Sequence, residues 1–368
     1  MRVMWLGTYE RGYPRSRVLV EGLRAVGVEV VEHHRPVWER DRHKAGLGPA
    51  ALAGSAARFA AAWARLGVAG LRERPVDAVV AGYLAQPDAL PAWAVARARR
   101  VPLVVDMMIS LADTLAGDRA VAGRATGAVL AGIDRMSLRL ADLVLADTRA
   151  GADWLALRFG VPRERIAVVP VGAEPARFPA TPPPAGPPIA LFYGKLAPLH
   201  GVATVLEAAR APGVPPVRLI GDGQLGLWLE GELARDTPAG LRWDRWVPYE
   251  RLGAEVAAAA VCLGVFGTSD KAARVVPNKV WQAMAVGRPV ITGDTPGVRE
   301  VLEDGVSALL VPPGDARALA HALRRLGADA ELRARMGAAA HAVYLCAGAP
   351  AAAGAALRDA LTPLIFAR

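Results

Sequence analysis

The chain has 368 residues, more than the roughly 250–300 at which a single hydrophobic core stops growing, so two domains are expected. Hydrophobic residues make up 53% and aromatics only 6%, which builds the core from Ala, Val and Leu; two cysteines exclude a disulfide framework and fit a reducing cytoplasm. The net charge of +9 is uneven: residues 1–180 hold 25 Lys/Arg against 18 Asp/Glu, and residues 181–368 hold 19 against 17. A basic face suits an anionic partner, with a plain solvated surface as the competing reading.

From the first residue, RVMWLG (2–7), VEVVEHH (28–34), AVVAGY (78–83), PLVVDMM (102–108), LVLADT (143–148) and IAVVPVG (166–172) read as strands. Helix-length segments separate them, which predicts a doubly wound parallel sheet. No secretory signal precedes the first strand, and no run of about 18 uncharged apolar residues marks a membrane span. FPATPPPAGPP (178–188) holds six prolines in eleven residues and is a linker. A second alternation follows: IALFYG (189–194), VRLIGDG (217–223), LRWDRWV (241–247), VCLGVFG (261–267), PVITG (289–293) and SALLVPP (307–313). The expected domains are therefore 1–178 and 189–347, joined by a linker at 179–188, with the cleft between them as the expected site. An Ala-rich helix is expected over Ala316–Leu345, and a last helix near 352–368 packing back on the first domain.

Three turns in the second half carry chemistry. FYGKLAPLHGV (192–202) turns at Gly194, exposes Lys195, and enters a helix after His200 and Gly201. Such a turn lets backbone N–H groups approach a pyrophosphate. LIGDGQL (219–225) supplies Gly221, Asp222 and Gly223, with helix capping the competing role for Asp222. VFGTSDKAARVVPNKVWQAM (265–284) follows Phe266 with Lys271, Arg274 and Lys279, and places Pro277 in a first helical turn with Asn278 and Lys279 beside the amino end. Three cations on one loop and helix read as an anion clamp, which the glycine turns opposite favour, or alternatively as exposed basic residues that keep a helix soluble. A helix is also expected to start near Val298, with Glu300 in its first turn.

In the first half, Gly7, Arg15, Ser16 and Arg17 lie in the first strand-to-helix loop, and Asp106, Ser110, Asp113 and Thr114 follow the strand PLVVD. Asp106 is read as orienting an acceptor hydroxyl, or as a cap. The segment 51–74 places Phe59, Trp63 and Leu66 on one helical face beside Arg58, Arg65 and Arg72. It is read as an amphipathic membrane-surface helix or, alternatively, as a core-facing helix. The histidines show no ligand spacing, so no metal is expected.

The segments ADLVLADT (141–148), GVPRERIAVVPVGAEPARF (160–178), YGKLAPLHGVATVLEAA (193–209), IGDGQL (220–225) and RVVPNKVWQAMAVGRPVITGDTPGVREVLEDGVSALLVPPGD (274–315) resemble, in order and spacing, the retaining glycosyltransferases of family 4. GTYERGYPRSRVLVEGLRAVGVEV (7–30) and VVDMMISLADT (104–114) are similar to a bacterial branch of that family. The resemblance implies the GT-B fold, two Rossmann-like doubly wound domains facing each other across a cleft. It also implies transfer of a sugar, with retention, from a nucleotide-diphosphate sugar to a glycan or lipid-linked acceptor, with no cofactor and no metal. Lys195 takes the position of the family's phosphate-binding base, and His200 stands where a lysine commonly precedes the next glycine. Arg274 and Gln282 occupy the family's Glu-x7-Glu positions, so donor identity stays open. Asp106 stands where many relatives have a histidine. Asp106, Lys195 and Lys279 are the expected catalytic set; Gly7, Arg15, Ser16, Arg17, Ser110, Asp113 and Thr114 the acceptor side.

A cytoplasmic enzyme with peripheral contact to an anionic membrane follows from this reading. A non-catalytic sugar-nucleotide-binding protein is the alternative. No G-x-G-x-x-G follows the first strand, which argues against a dinucleotide oxidoreductase. The basic residues are not interleaved with aromatics in a nucleic-acid module, so no nucleic-acid partner is expected.

Overall fold

A computed structural model describes residues 1–37 and 49–366, with the side chains of 49–56 excepted. The last two residues of the expected C-terminal helix, 367 and 368, lie outside the described residues. The chain forms two compact units: Met1–Ala116, Ala122–Pro170 and Pro350–Arg368 in the first, Gly117–Val121 and Val171–Ala349 in the second. Residues 171–188, including the proline-rich stretch, therefore cluster with the second unit. Arg288 holds that stretch by donating to the carbonyls of Thr181 and Pro182 at 3.0 and 2.7 Å.

In the first unit, β1 (Arg2–Gly7), α1 (Pro14–Ala25), β2 (Glu29–His34), α2 (Pro49–Arg72), β3 (Ala78–Ala81), α3 (Ala89–Arg99), β4 (Leu103–Asp106), α4 (Arg124–Leu140), β5 (Leu143–Ala146), α5 (Arg149–Phe159) and β6 (Ile166–Val168) alternate. The six strands pair in parallel in the order β2-β1-β3-β4-β5-β6. The inner strands β3, β4 and β5 are buried on both faces, which is why they are almost wholly apolar rather than alternating, whereas the edge strand β2 (EVVEHH) is largely polar and half-exposed. One face packs Val3 and Trp5 against α1; the other packs Met4, Leu6 and Val105 against α2, α3, α4 and α5.

The second unit repeats the plan with β7 (Ala190–Tyr193), α6 (Val202–Ala209), β8 (Val217–Ile220), α7 (Gly226–Arg235), β9 (Leu241–Asp244), α8 (Tyr249–Ala258), β10 (Val261–Leu263), α9 (Asp270–Arg274), α10 (Asn278–Val286), β11 (Val290–Gly293), α11 (Pro296–Arg299), β12 (Leu309–Val311), α12 (Ala316–Ala328) and α13 (Ala330–Val343). Its strand order is β12-β11-β10-β7-β8-β9, so the direction of winding reverses between β7 and β10. Loops leaving the carboxyl ends of those two strands splay apart there and open a crevice for ligand.

Four local expectations shift. The long Ala-rich helix is two, because Asp329 leaves helical geometry and accepts from Leu332 N at 2.8 Å as the cap of α13. α11 begins at Pro296, because Thr295 caps it from Val298 N, which puts Glu300 at its end. Pro277 is the residue before α10 rather than inside its first turn. Arg15, Ser16 and Arg17 sit within α1, whose first residue is Pro14.

The last helix, α14 (Pro350–Phe366), packs on α1 in the first unit. Glycines make the crossing close: a Cβ on Gly22 would stand 2.1 Å from the Pro350 carbonyl oxygen. Counted as one run, Ala330–Phe366 is long and apolar enough to cross a membrane. Here one side of each helix packs in the fold, α13 on α10, and α14 with Ala353, Leu357 and Leu361 on α1, and a third (33%) of the apolar window is buried.

Candidate functional site

The turn after β7 is built by backbone packing. Gly194 has φ 126° and donates its N–H to the Ile220 carbonyl at 2.9 Å. Gly221 has φ 129°, and a Cβ there would lie 2.0 Å from the Gly194 oxygen. The two loops are then laced by Leu196 N to Asp222 O at 3.1 Å and Leu225 N to Leu196 O at 2.9 Å. Gly223 abuts the Leu196 backbone in the same way. Asp222 accepts from Gly223 N and pairs with Arg245; it does not cap α7, whose N-cap is Leu225 with no side-chain bond, so the expected capping role is not the one it has.

Above Gly194 the backbone is open. The atoms nearest a Cβ placed there would be the ends of two side chains at ordinary contact distance, Lys279 Cε at 3.5 Å and Nζ at 3.6 Å and His200 Cε1 at 3.8 Å. Lys279 enters from the first turn of α10, is 5% exposed, and its ammonium has no hydrogen-bond partner. It sits 3.9 Å over the Phe192 ring. Burial lowers its pKa to about 7. An orphaned cation beside an open backbone turn is a site shaped for an anion.

His200 leads into α6 through Gly201, whose φ is 66° and whose Cα approaches Phe266 so closely that a Cβ would stand 2.5 Å from the Phe266 carbonyl carbon. Desolvation and the neighbouring Lys279 hold the His200 imidazole well below its ordinary pKa, so it is neutral. Its Nδ1 contacts the Lys195 carbonyl. A carbonyl only accepts, so the one N–H of neutral His200 is spent there and Nε2 is left as an acceptor. Donation of a second hydrogen bond to a phosphate therefore requires protonation.

Of the other expected donor-side residues, Lys195 is exposed and Lys271 is buried in α9, which Ser269 caps. Arg274 ends α9, and its backbone meets Gly297 of α11. Asn278 shares the first turn of α10 with Lys279. Phe266 turns its ring into the core and offers backbone only. Gln282 lies buried one turn beyond Lys279, with Nε2 3.4 Å from Tyr249 Oη; that hydroxyl donates to Glu174 at 2.8 Å.

In the first unit, Gly7 ends β1 with φ 153°, where a Cβ would lie 2.5 Å from Asp88. Arg15 and Asp106 form a fully buried pair: Arg15 Nε donates to both carboxylate oxygens at 2.9 and 2.7 Å, and Nη1 to the Val169 carbonyl at 2.9 Å. Arg15 Nη2 and Ser16 Oγ are buried without partners. Arg17 donates to the Arg11 carbonyl. Asp106 is thus held inside the unit by Arg15, a geometry that suits positioning.

Ser110, Asp113 and Thr114 belong to a turn organised by Asp134, a residue the sequence reading passed over. Buried Asp134 accepts from Ser110 Oγ at 2.6 Å and from Leu111 N and Ala112 N at 3.0 Å. Thr114 Oγ1 donates to the Ser110 carbonyl, and Ser110 Oγ receives Asp113 N. The available signal was that Asp134 is the sole acid in α4. Asp88 was missed as well. It is fully buried, accepts from Thr8 N and Trp63 Nε1, and has its pKa raised to about 6 by desolvation. Tyr13 and Tyr83 stack at 4.1 Å near the same strand ends. Leu66 and the half-buried Trp63 of α2 turn to the core and Phe59 packs against Trp63 at 5.5 Å, which is the core-facing one of the two readings of this segment. Among the described residues no group of three or more His, Cys, Asp and Glu could hold a metal ion.

Two parallel six-stranded α/β units, each with glycine turns at its strand ends, define the GT-B class of glycosyltransferase folds. The chain belongs to the group 1 glycosyltransferases: residues 3–172 match the "Glycosyl transferase 4-like domain" family and residues 187–329 match "Glycosyl transferases group 1". It is 30% identical over 178 residues to the amylovoran biosynthesis glycosyltransferase AmsK of Erwinia amylovora, covering 46% of this chain and 44% of that protein. The chain spans about half the length of the curated relatives it matches. Its fold is shared with sucrose-phosphate synthase of Thermosynechococcus elongatus, at TM-score 0.75, 19% identity and full coverage of both chains. It is shared too with Anabaena HepE in complex with UDP-glucose, at TM-score 0.70, 16% identity and 98% and 99% coverage.

Proposed function

We propose that the chain transfers a sugar, with retention and without a metal, from a nucleotide-diphosphate sugar to a hydroxyl of a glycan or lipid-linked acceptor, at the cytoplasmic face of the membrane. The observation that carries the reading is the unpartnered, buried Lys279 ammonium facing the open turn at Gly194. The donor diphosphate lies in that cradle. The amino ends of α6 and α10 and the cations Lys195 and Lys279 face the departing charge, which is the electrostatic work such a transfer requires. Cationic groups and helix ends at the cradle support metal independence. The UDP complexes of a protein of the same fold make uridine diphosphate the first nucleotide to try. Arg15 keeps Asp106 oriented on the acceptor side, so Asp106 acts by positioning the β4 end.

A second reading keeps the binding and drops the chemistry, because Arg274 and Gln282 replace the paired glutamates and Gln282 is turned to Tyr249. Purified protein given a panel of nucleotide sugars separates the two. Donor turnover that disappears in Lys279→Met supports the transferase. Lysine-dependent binding without turnover supports the second reading, and the absence of nucleotide binding overturns both.

A further inference from the structure

The positive charge of the first half has a definite place in the fold. Helices α2, α3 and α4 lie side by side, α2 on α3 and α3 on α4, over one face of the first sheet. Their inner sides supply Leu66, Val95 and Leu138 to the core. Together they contain one acidic residue, Asp134, which is fully buried and spent on Ser110 and two backbone N–H groups. The acid that follows α2, Glu73, is turned to Arg2 and His33. The outer side of the layer is therefore free of carboxylates among its described residues.

That outer side carries exposed Arg65, Arg72, Arg97, Arg124 and Arg139. Arg58, Arg65 and Arg72 recur every seven residues, about two turns or roughly 10 Å apart along α2. Between the guanidinium groups stand exposed aliphatic side chains: Val68 and Leu71 on α2, Leu90 on α3, and Val129 and Met136 on α4, with Val129 63% exposed. Arg99 locks the layer together by donating to the Gly70 and Glu73 carbonyls at the end of α2. Scattered exposed aliphatics are ordinary. A rigid layer that pairs them with arginines and excludes carboxylates fits a surface that offers both anionic headgroups and an apolar boundary.

We propose that the outer face of α2, α3 and α4 is a docking surface for an anionic phospholipid bilayer. The guanidinium groups engage lipid phosphates, and the aliphatic side chains enter the headgroup boundary. This surface is distinct from the aromatic face of α2, where Phe59 and Trp63 are half-buried. A polyanion without an apolar phase, such as nucleic acid, leaves the aliphatic positions unused and finds no exposed aromatic platform on this layer among the described residues. Docking does not depend on the donor reading, so the two fail separately.

The test uses the whole chain in vesicle sedimentation, with vesicles of phosphatidylcholine alone or with about a third phosphatidylglycerol. The expected result is binding to the anionic vesicles only, weakened by raising the salt to about 0.5 M. The variant R65Q/R72Q/R97Q/R139Q should bind about ten-fold or more weakly. V68S/L71S/V129S should bind several-fold more weakly at unchanged charge. All substitutions are on the surface, so melting temperature and nucleotide binding should be retained, and each variant is scored only with these intact. The proposal is overturned by failure of the parent chain to bind anionic vesicles, by equal binding to neutral ones, or by unchanged binding of the four-arginine variant. Loss in that variant of duplex-DNA or acidic-protein binding, with no vesicle binding by the parent, overturns it in favour of those partners.

Discussion

Replacing Lys279 by Met should make the protein more stable while removing its donor site. The substitution removes the ammonium, 5% exposed and without a hydrogen bond, together with its contact 3.9 Å over the Phe192 ring, which offsets part of the gain. Burial lowers the lysine from 10.5 to about 7. At 1.36 kcal/mol per pH unit this corresponds to about 5 kcal/mol, an upper figure because relaxation and water entry reduce it. The folded pKa lies below the unfolded one, so the folded chain holds fewer protons between pH 7 and 10.5. Stability tied to Lys279 is thus full above pH 10.5 and is lost as pH falls toward 7, below which the loss is constant. Thermal unfolding of the parent and Lys279→Met across that range measures it. The variant should melt higher by several degrees at pH 7, and the gap should close toward pH 10.5. A variant less stable than the parent at pH 7, or a gap independent of pH, refutes the reading of Lys279 as a strained, preformed anion site.

Gly201→Ala should destabilise by about 2 kcal/mol or more in chemical denaturation, because the new Cβ meets the Phe266 backbone at 2.5 Å in a left-handed turn. Arg15→Met leaves Asp106 buried and unpaired and should cost about 3–5 kcal/mol, whereas Arg15→Met with Asp106→Leu should recover much of it. Asp88 contributes with the opposite slope to Lys279. Its folded pKa of about 6 lies above the ordinary 3.8, so its contribution is full below pH 3.8 and falls away, by about 3 kcal/mol, as pH rises through 6. The stability difference between the parent and Asp88→Asn should therefore change across that window, and a flat difference contradicts it.

The inner strands were legible because they are short, buried and mostly aliphatic runs, and the half-exposed, polar edge strands EVVEHH and LRWD were legible from their place in the alternation with helix-length segments. The glycine turns and the cations around them were legible because order and spacing carried them. The state of those cations was not. Nothing in YGKLAPLHG says that Lys195 takes the proton-bearing nitrogen of His200, or that Lys279 has no partner. The placement of Trp63 involves Asp88, 25 residues further along, accepting the indole N–H. Asp134 likewise organises a turn more than twenty residues before it. Contacts set by tertiary packing at such separations leave no local periodicity to read.

Calorimetric titration of a nucleoside diphosphate, uridine diphosphate first, into the parent and Lys279→Met at pH 7 in two buffers of different ionisation enthalpy tests the donor cradle most directly. Binding to the parent is expected with net proton uptake, since an arriving diphosphate raises the pKa of Lys279 and of His200. Loss of that binding is expected in the variant. Equal affinity in both proteins, or binding whose heat is the same in both buffers, contradicts the cradle.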